Sequence, residues 1–187
     1  MDLFLIRHPR PDVAPGTCYG VSDVGLAEPV GPVAARLRPL LPSGTVVYSS
    51  PLGRALRLAE ALGAPRLDPR LREIDFGSWE LQPFDDLRGA LDAWAADPLG
   101  FRAPGGESAR EMALRVDAAL DDILAAHPDG AVAVVAHGGP LRAIAGRLLG
   151  LPQERWLGLD FAFGAMTHLH VASWGTVLKA FNRAAVS

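Results

Sequence analysis

Cysteine is almost missing from this sequence, which has Cys18 alone among its 187 residues. A single cysteine excludes an internal disulfide framework and any metal site built from several cysteines. Long apolar runs are missing too. Residues 1–6 are too few for the hydrophobic segment of a signal peptide, and no later stretch reaches the roughly 20 residues that cross a bilayer. We therefore expect a cytoplasmic protein with no membrane partner.

An excess of charge of one sign is also lacking. The formal net charge is -3, and both signs are spread along the chain without a basic stripe of the kind that holds nucleic acid. We therefore expect no nucleic-acid partner. Hydrophobic residues make up 49% of the chain, enough for one substantial core, so we expect a single domain over residues 1–187. The sequence leaves open whether the protein is a monomer or a homodimer.

The N-terminal half contains two short apolar runs, residues 3–6 and 45–48, which are typical of buried strands. After the second run, Ser50 and Pro51 predict the N-cap and the first residue of a helix. Gly63 predicts the end of that helix. Strand then helix is therefore the expected order here.

The C-terminal half repeats this order. Residues 108–111 match a capping box and predict a helix, which is followed by a buried strand over residues 131–136. Another helix is predicted over residues 141–149. Residues 166–171 and 176–181, separated by a glycine-containing turn, predict a closing β-hairpin.

Repeated strand and helix units predict an α/β fold, a three-layer α/β/α sandwich with a mostly parallel sheet and an antiparallel edge hairpin. In such folds, ligands bind beyond the carboxyl ends of the strands. Residues 75–106 are different, because they are rich in aromatic residues and prolines but have no strand pattern. We expect this segment to form a lid-like excursion over the site.

Two histidines directly follow predicted strands. Arg7 and His8 follow the first strand, and His137 follows a later one. Gly138 comes next, at the start of a helix whose free N–H groups would attract an anion. Arg54 lies in the first turn of another helix at the same end of the sheet. Two arginines and two histidines in one crevice are typical of a site that binds a phosphate dianion.

Five short segments stand out in order along the chain. They are Leu5-Ile6-Arg7-His8, Ser49-Ser50-Pro51-Leu52 with Arg54, Leu71-Arg72-Glu73 with residues 76–80, Pro104-Gly105-Gly106-Glu107-Ser108, and Ala136-His137-Gly138. Together they resemble the successive motifs of the histidine phosphatase superfamily, also called phosphoglycerate mutase-like. Cys18-Tyr19-Gly20, followed by residues 22–26, is similar more narrowly to the alpha-ribazole phosphatases of cobalamin biosynthesis.

This resemblance implies a phosphatase in which His8 attacks phosphorus and Glu73 is the general acid and base. It makes His137 the third catalytic residue. The expected phosphate-binding residues are Arg7, Arg54, Gly138 and Ser22. Ser22, or backbone groups, would replace an asparagine that the family often has after the nucleophile. No cofactor and no metal are expected.

Some alternatives stay open at this point. Glu80 or Asp75 could replace Glu73 as the acid. His168 and His170 fall on one face of a strand and could bind a metal, although the absence of an apparent third ligand disfavours this.

The expected function is hydrolysis of a small phosphorylated metabolite, with alpha-ribazole 5'-phosphate as the first candidate. One alternative is a phosphoglycerate mutase. Another is a non-catalytic phospholigand-binding protein, because Pro9 stands where the family usually has glycine and residues 10–16 contain no asparagine.

Overall fold

The computed structural model describes residues 1–184, which are built around a mixed sheet of six strands. The strands are β1 Asp2–Arg7, β2 Val46–Ser49, β3 Arg66–Leu67, β4 Ala131–Ala136, β5 Met166–Ala172 and β6 Gly175–Arg183. Their order across the sheet is β3-β2-β4-β1-β5-β6. The first four run parallel to one another, and β5 and β6 are antiparallel to their neighbours. The predicted α/β class with an antiparallel edge hairpin is confirmed.

Helices cover both faces of this sheet. The α-helices of residues 1–184 are α1 Val30–Leu37, α2 Gly53–Leu62, α3 Arg88–Ala96, α4 Ala109–Ala126 and α5 Gly138–Leu148. In β1, Leu3 and Leu5 point into the core shared with α4 and α5, whereas Phe4 and Ile6 point into the core shared with α1 and α2. Because side chains alternate along a strand, a continuously apolar strand supplies both cores and gives the three layers.

Several predicted boundaries are confirmed. The Ser108 hydroxyl accepts the N–H of Glu111 at 3.3 Å, and the Glu111 carboxylate accepts the N–H of Ser108 at 2.8 Å, so the capping box begins α4. The strand predicted over residues 131–136 is β4. Within residues 1–184, no helix has the length and apolar character needed to cross a lipid bilayer.

Two predicted helix starts are wrong. Helix α2 begins at Gly53 rather than at Pro51, because the Ser50 hydroxyl contacts His137 and the Leu52 N–H but no N–H group of the helix itself. Helix α5 begins at Gly138, three residues before the predicted start, because Pro140 fits the first turn of a helix, where no N–H is needed. Helices α1 and α3 were not predicted.

Residues 75–106 leave the sheet and contain α3 and short 3₁₀ turns. The two ends of this segment are joined. The Ser78 N–H donates to the Pro104 carbonyl at 2.9 Å, and the Glu107 N–H donates to the Asp75 carbonyl at 2.9 Å. Gly77 has a φ of +50°, and a Cβ there would overlap the backbone of Pro104. Glycine is therefore needed at this junction.

Candidate active site

Three parallel strands end side by side at one edge of the sheet, and a functional side chain follows each. His8 follows β1, Ser50 follows β2 and His137 follows β4. The backbone N–H of His8 donates to the Ala136 carbonyl, and that of Ser50 to the Val135 carbonyl, both at 3.1 Å. The ring centroids of His8 and His137 lie 5.0 Å apart. The structure thus brings the two predicted histidines together.

The His8 side chain is buried, with 1% exposure. Its Nδ1 lies 2.6 Å from the Pro9 carbonyl oxygen. Since a carbonyl oxygen only accepts, Nδ1 carries the ring proton and Nε2 keeps its lone pair. Burial, and then the charge of Arg54, lowers the pKa of His8 to about 3. At neutral pH, His8 is therefore a neutral imidazole with an unprotonated Nε2.

His137 is completely buried beside it. Its Nε2 lies 2.8 Å from the Ser50 hydroxyl, while its Nδ1 is buried and has no hydrogen-bond partner among residues 1–184. Burial lowers the pKa of His137 well below its usual value, and the neighbouring His8 and Arg54 add to this effect by opposing a second positive charge. Buried polar atoms without partners are rare, and this one marks a place where a ligand atom could bind.

Arg7 and Arg54 bring positive charge to the same place. The Arg54 guanidinium donates to the carbonyls of Ser22, at 2.7 Å, and Gly20. Arg7 Nη1 donates to the Phe161 carbonyl at 2.5 Å. Within residues 1–184, the Nε of each arginine is buried without a partner. Burial lowers the pKa of both guanidiniums. Arg54 is buried and Arg7 is half-buried, and cations withdrawn from water without a carboxylate partner favour a bound anion.

Glu73 stands at the edge of this cluster. Its carboxylate accepts the backbone N–H of Gly139 at 3.1 Å and that of Ile74 at 3.0 Å. Gly139 lies in the first turn of α5, where backbone N–H groups have no partner within the helix. Arg115 holds the backbone here, because its guanidinium donates to the Glu73 carbonyl at 2.9 Å and pairs with Glu107 at 2.5 Å. No sequence signal pointed to Arg115.

The two carboxylates considered in place of Glu73 accept N–H groups of other parts of the backbone, not that of Gly139 in α5. Asp75 accepts the Gly77 N–H at 2.8 Å. Glu80 accepts four backbone N–H groups at 3.0–3.1 Å, those of Gly20, Val21, Ser22 and Phe76. Although burial opposes it, hydrogen bonding from Ser22 and the backbone lowers the pKa of Glu80. Ser22 thus contacts Arg54 through its carbonyl and Glu80 through its N–H and its side chain, and a phosphate contact from Ser22 stays a prediction.

A cavity of about 290 Å³ opens beside Glu73. Its aromatic lining residues are Tyr19, Phe76, Trp79, Trp94, Phe101 and Trp156. Arg142 of α5 also lines the cavity. Neither Tyr19 nor Arg142 was among the predicted site residues. The spacing of four residues from Gly138 to Arg142, which puts both on one face of a helix, is the signal that could have found the arginine.

His168 and His170 lie on one face of β5, as expected, but far along β1 from His8. Both contact Asp2, the first residue of β1. His168 Nε2 lies 2.8 Å, and His170 Nδ1 3.2 Å, from Asp2 Oδ1. The hydrogen bond with His168 is the main cause that lowers the pKa of Asp2. The two histidines and Asp2 therefore lie at the beginning of β1, whereas His8 follows its end.

The fold and the cluster together define an α/β protein with a cationic, histidine-containing pocket at the carboxyl ends of its parallel strands. The sequence profile of the histidine phosphatase superfamily (branch 1) matches residues 3–184, and the chain belongs to this family. The resemblance found in the sequence is confirmed.

Individual relatives carry the names of phosphatases and mutases. A provisionally named phosphoserine phosphatase 2 of Hydrogenobacter thermophilus is 31% identical, over 97% of this chain and 95% of its own. A provisionally named phosphoglycerate mutase of Photorhabdus laumondii is 34% identical, over 81% of this chain and 76% of its own. The alpha-ribazole phosphatase of Shigella flexneri has the same fold, with a TM-score of 0.89 at 24% identity over 100% of this chain and 98% of its own. The family and these relatives support a phosphatase or mutase activity.

Proposed function

We propose that this protein is a phosphomonoesterase that hydrolyses a small phosphorylated metabolite through a phosphohistidine on His8. The 2.6 Å contact between His8 Nδ1 and the Pro9 carbonyl carries the proposal, because it leaves Nε2 unprotonated. Arg7 and Arg54 supply positive charge to the same pocket. A neutral imidazole beside buried guanidiniums suits attack on a phosphoryl dianion.

In the first step, His8 Nε2 attacks phosphorus, a P–N bond forms and the P–O bond to the leaving group breaks. Glu73 enters this step protonated and gives its proton to the leaving oxygen. Arg7, Arg54 and His137 donate hydrogen bonds to the phosphoryl oxygens. A donor of this kind, held in place before the reaction, contributes roughly 3 kcal/mol to transition-state stabilisation.

In the second step, water hydrolyses the phosphohistidine. Glu73, now a carboxylate, takes a proton from the water as its oxygen attacks phosphorus. The P–N bond breaks, His8 regains its lone pair and inorganic phosphate leaves. Glu73 suits both steps because it lines the cavity that would hold the leaving group and is bound to Gly139, two residues after His137.

The first substrate we propose is alpha-ribazole 5'-phosphate. Its leaving group carries an aromatic base, and six aromatic residues line the cavity beside Glu73. Burying apolar surface there would contribute about 25 cal/mol per Å². The Shigella flexneri relative carries the name of this activity, but at 24% identity the likeness supports the fold alone. The aromatic lining of the cavity is what supports this substrate.

Phosphate release from a panel of esters tests the proposal. The panel contains alpha-ribazole 5'-phosphate, a ribonucleoside 5'-phosphate, phosphoserine and 3-phosphoglycerate, each assayed with and without a chelator. We expect release that the chelator does not reduce, and acid-labile labelling of the protein by the phosphoryl group. His8→Ala should abolish both. His127→Ala is the matched control, because His127 contacts Tyr48 at 3.1 Å rather than the site. Full turnover by His8→Ala would end the proposal.

The same panel separates the other two functions. A mutase would interconvert 2- and 3-phosphoglycerate and release little free phosphate. A binding protein without catalysis would bind orthovanadate but hydrolyse none of the esters. Either result would replace hydrolysis as the activity of this site.

A further inference from the structure

Arg142 lies one turn into α5 and reaches back towards the start of that helix. Its Nε donates to the Leu159 carbonyl at 2.8 Å, which holds the side chain in the cavity wall. Its Nη1 lies 3.1 Å from the point where a Cβ on Gly138 would stand, and the guanidinium carbon of Arg7 lies 3.6 Å from the same point. Arg142 is therefore at the border between the cationic cluster and the aromatic cavity.

The guanidinium of Arg142 is available to a substrate. Among residues 1–184, it forms no ion pair, and neither Nη group donates a hydrogen bond. The phosphoryl group already has other donors in Arg7, Arg54 and His137. Arg142 thus has two free Nη groups on the side of the pocket that faces the leaving group.

The chemistry of the cavity favours a neutral leaving group. Besides Arg142, the charged side chains that line it are Glu73, Glu107 and Glu154. Glu107 is already paired with Arg115 at 2.5 Å. A carboxylate on the leaving group would therefore meet Glu154, and Glu73 whenever it is ionised, against the single guanidinium of Arg142, with aromatic walls that offer little compensation. A hydroxyl avoids this repulsion and still accepts a strong hydrogen bond from a charged donor.

We propose that Arg142 is a specificity-determining residue that donates hydrogen bonds to hydroxyl oxygens of a neutral leaving group. This inference rests on the proposed function, because it concerns the alcohol that hydrolysis releases. It assigns the protein to esters of ribose-like polyols, preferably with an aromatic base, rather than to esters of acidic alcohols such as glyceric acid.

A double-mutant cycle between protein and substrate tests this assignment. We would measure kcat/KM of the wild type and of Arg142→Met for a ribonucleoside 5'-phosphate and for its 2',3'-dideoxy analogue. Loss of a hydrogen bond to a charged donor corresponds to about 10- to 100-fold. For the wild type, kcat/KM should be lower by this factor for the dideoxy ester than for the ribo ester. For the ribo ester, kcat/KM of Arg142→Met should be lower than that of the wild type by the same factor. For Arg142→Met, the change from the ribo to the dideoxy ester should lower kcat/KM little further.

Controls separate substrate contact from folding. Arg142→Lys keeps the charge but lacks the fork that binds Leu159, and it should fall between wild type and Arg142→Met on the ribo ester. Arg155→Met removes an exposed arginine near the same cavity and should leave kcat/KM for both esters unchanged. Inhibition by orthovanadate should change less than about threefold in every variant, because the phosphoryl ligands are intact.

Three results would overturn the assignment. Fully additive losses would show that Arg142 does not contact the hydroxyls. Weaker orthovanadate inhibition with equal loss on both esters would make Arg142 a phosphoryl ligand. A loss confined to phosphoserine and 3-phosphoglycerate would make a carboxylate its partner. If the wild type releases no phosphate from any ester, the proposed function fails, but the same four comparisons by calorimetric Kd still test Arg142.

Discussion

The Ser50 hydroxyl lies 2.8 Å from His137 Nε2, and both side chains are completely buried. The oxygen of this hydroxyl accepts the Leu52 N–H at 3.3 Å, and within residues 1–184 its own proton has no acceptor other than the imidazole, so the hydroxyl donates to Nε2. His137 then carries its ring proton on Nδ1, the nitrogen without a partner among residues 1–184. Ser50 is therefore a positioning residue, because it selects the tautomer in which His137 can donate to a phosphoryl oxygen.

Ser50→Ala should lower kcat/KM by about 10- to 100-fold, since His137 would lose the partner that sets its tautomer. The loss should appear in kcat, because the contact to the phosphoryl group matters most in the transition state. Ser49→Ala is the matched control: Ser49 is equally buried, but its hydroxyl donates to the Ser50 carbonyl at 2.8 Å. Ser50→Thr, which keeps a hydroxyl, should restore part of kcat. Equal effects of the two alanine substitutions would contradict this role.

The low pKa of His8 makes stability depend on pH. In the unfolded chain, histidine takes up a proton below about 6.5, whereas folded His8 stays neutral until its pKa of about 3. Below pH 6.5 the unfolded state therefore binds more protons than the folded state. The contribution of His8 to the free energy of unfolding is fully present above pH 6.5 and is lost as the pH drops. His8 contributes a slope of up to about 1.4 kcal/mol per pH unit in this window.

Denaturant unfolding of the wild type and of His8→Asn at pH 4.5, 5.5, 6.5 and 7.5 measures this slope. Asparagine does not titrate, so the free energy of unfolding of the variant should decline less steeply below pH 6.5. Above pH 6.5 the two curves should run parallel. Identical slopes throughout would mean that His8 is protonated in the folded protein.

Local sequence patterns predicted the parts of the fold whose structure depends on local chemistry. The capping box that begins α4 and the apolar run of β4 lie where the pattern put them, because each depends on neighbouring residues. Ser50 was misread as a helix cap because its hydroxyl binds a residue 87 positions away. No local pattern contains that information.

The candidate site was predictable to the same extent. His8 and His137 follow buried strands, and parallel strands bring their carboxyl ends together, so their meeting follows from the topology. Glu80 shows the limit. The sequence favoured Glu73 and left Glu80 as a competitor, and only the folded loop shows that Glu80 accepts four backbone N–H groups and does not line the cavity.

Glu80 joins the loop that carries Tyr19 to the beginning of the 75–106 segment. Glu80→Gln would replace a carboxylate that accepts four N–H groups by an amide with one acceptor oxygen and an NH₂ group facing donors. We expect the free energy of unfolding to fall by about 2–4 kcal/mol. Because Gly20 of this loop bonds to Arg54, orthovanadate should also inhibit more weakly.

Urea denaturation and inhibition constants measure both effects. Glu60→Gln, which makes the same change on the exposed face of α2, is the control and should alter neither. Unchanged stability of Glu80→Gln would contradict the role assigned to this carboxylate.

The wall of the cavity depends on a close approach between α5 and Trp156. A Cβ on Gly146 would overlap the Trp156 indole, whose Nε1 donates to the Leu151 carbonyl at 3.0 Å. Gly146→Ala must therefore displace the indole or the helix, and we expect it to lower the free energy of unfolding by about 1–3 kcal/mol. Trp156 also lines the cavity, so KM for an aromatic ester should rise while orthovanadate inhibition stays the same. Gly89→Ala in α3 introduces a Cβ with no atom within 4 Å and should cost no stability. A Gly146→Ala protein as stable as Gly89→Ala, with an unchanged KM, would show that the indole does not form this wall in solution.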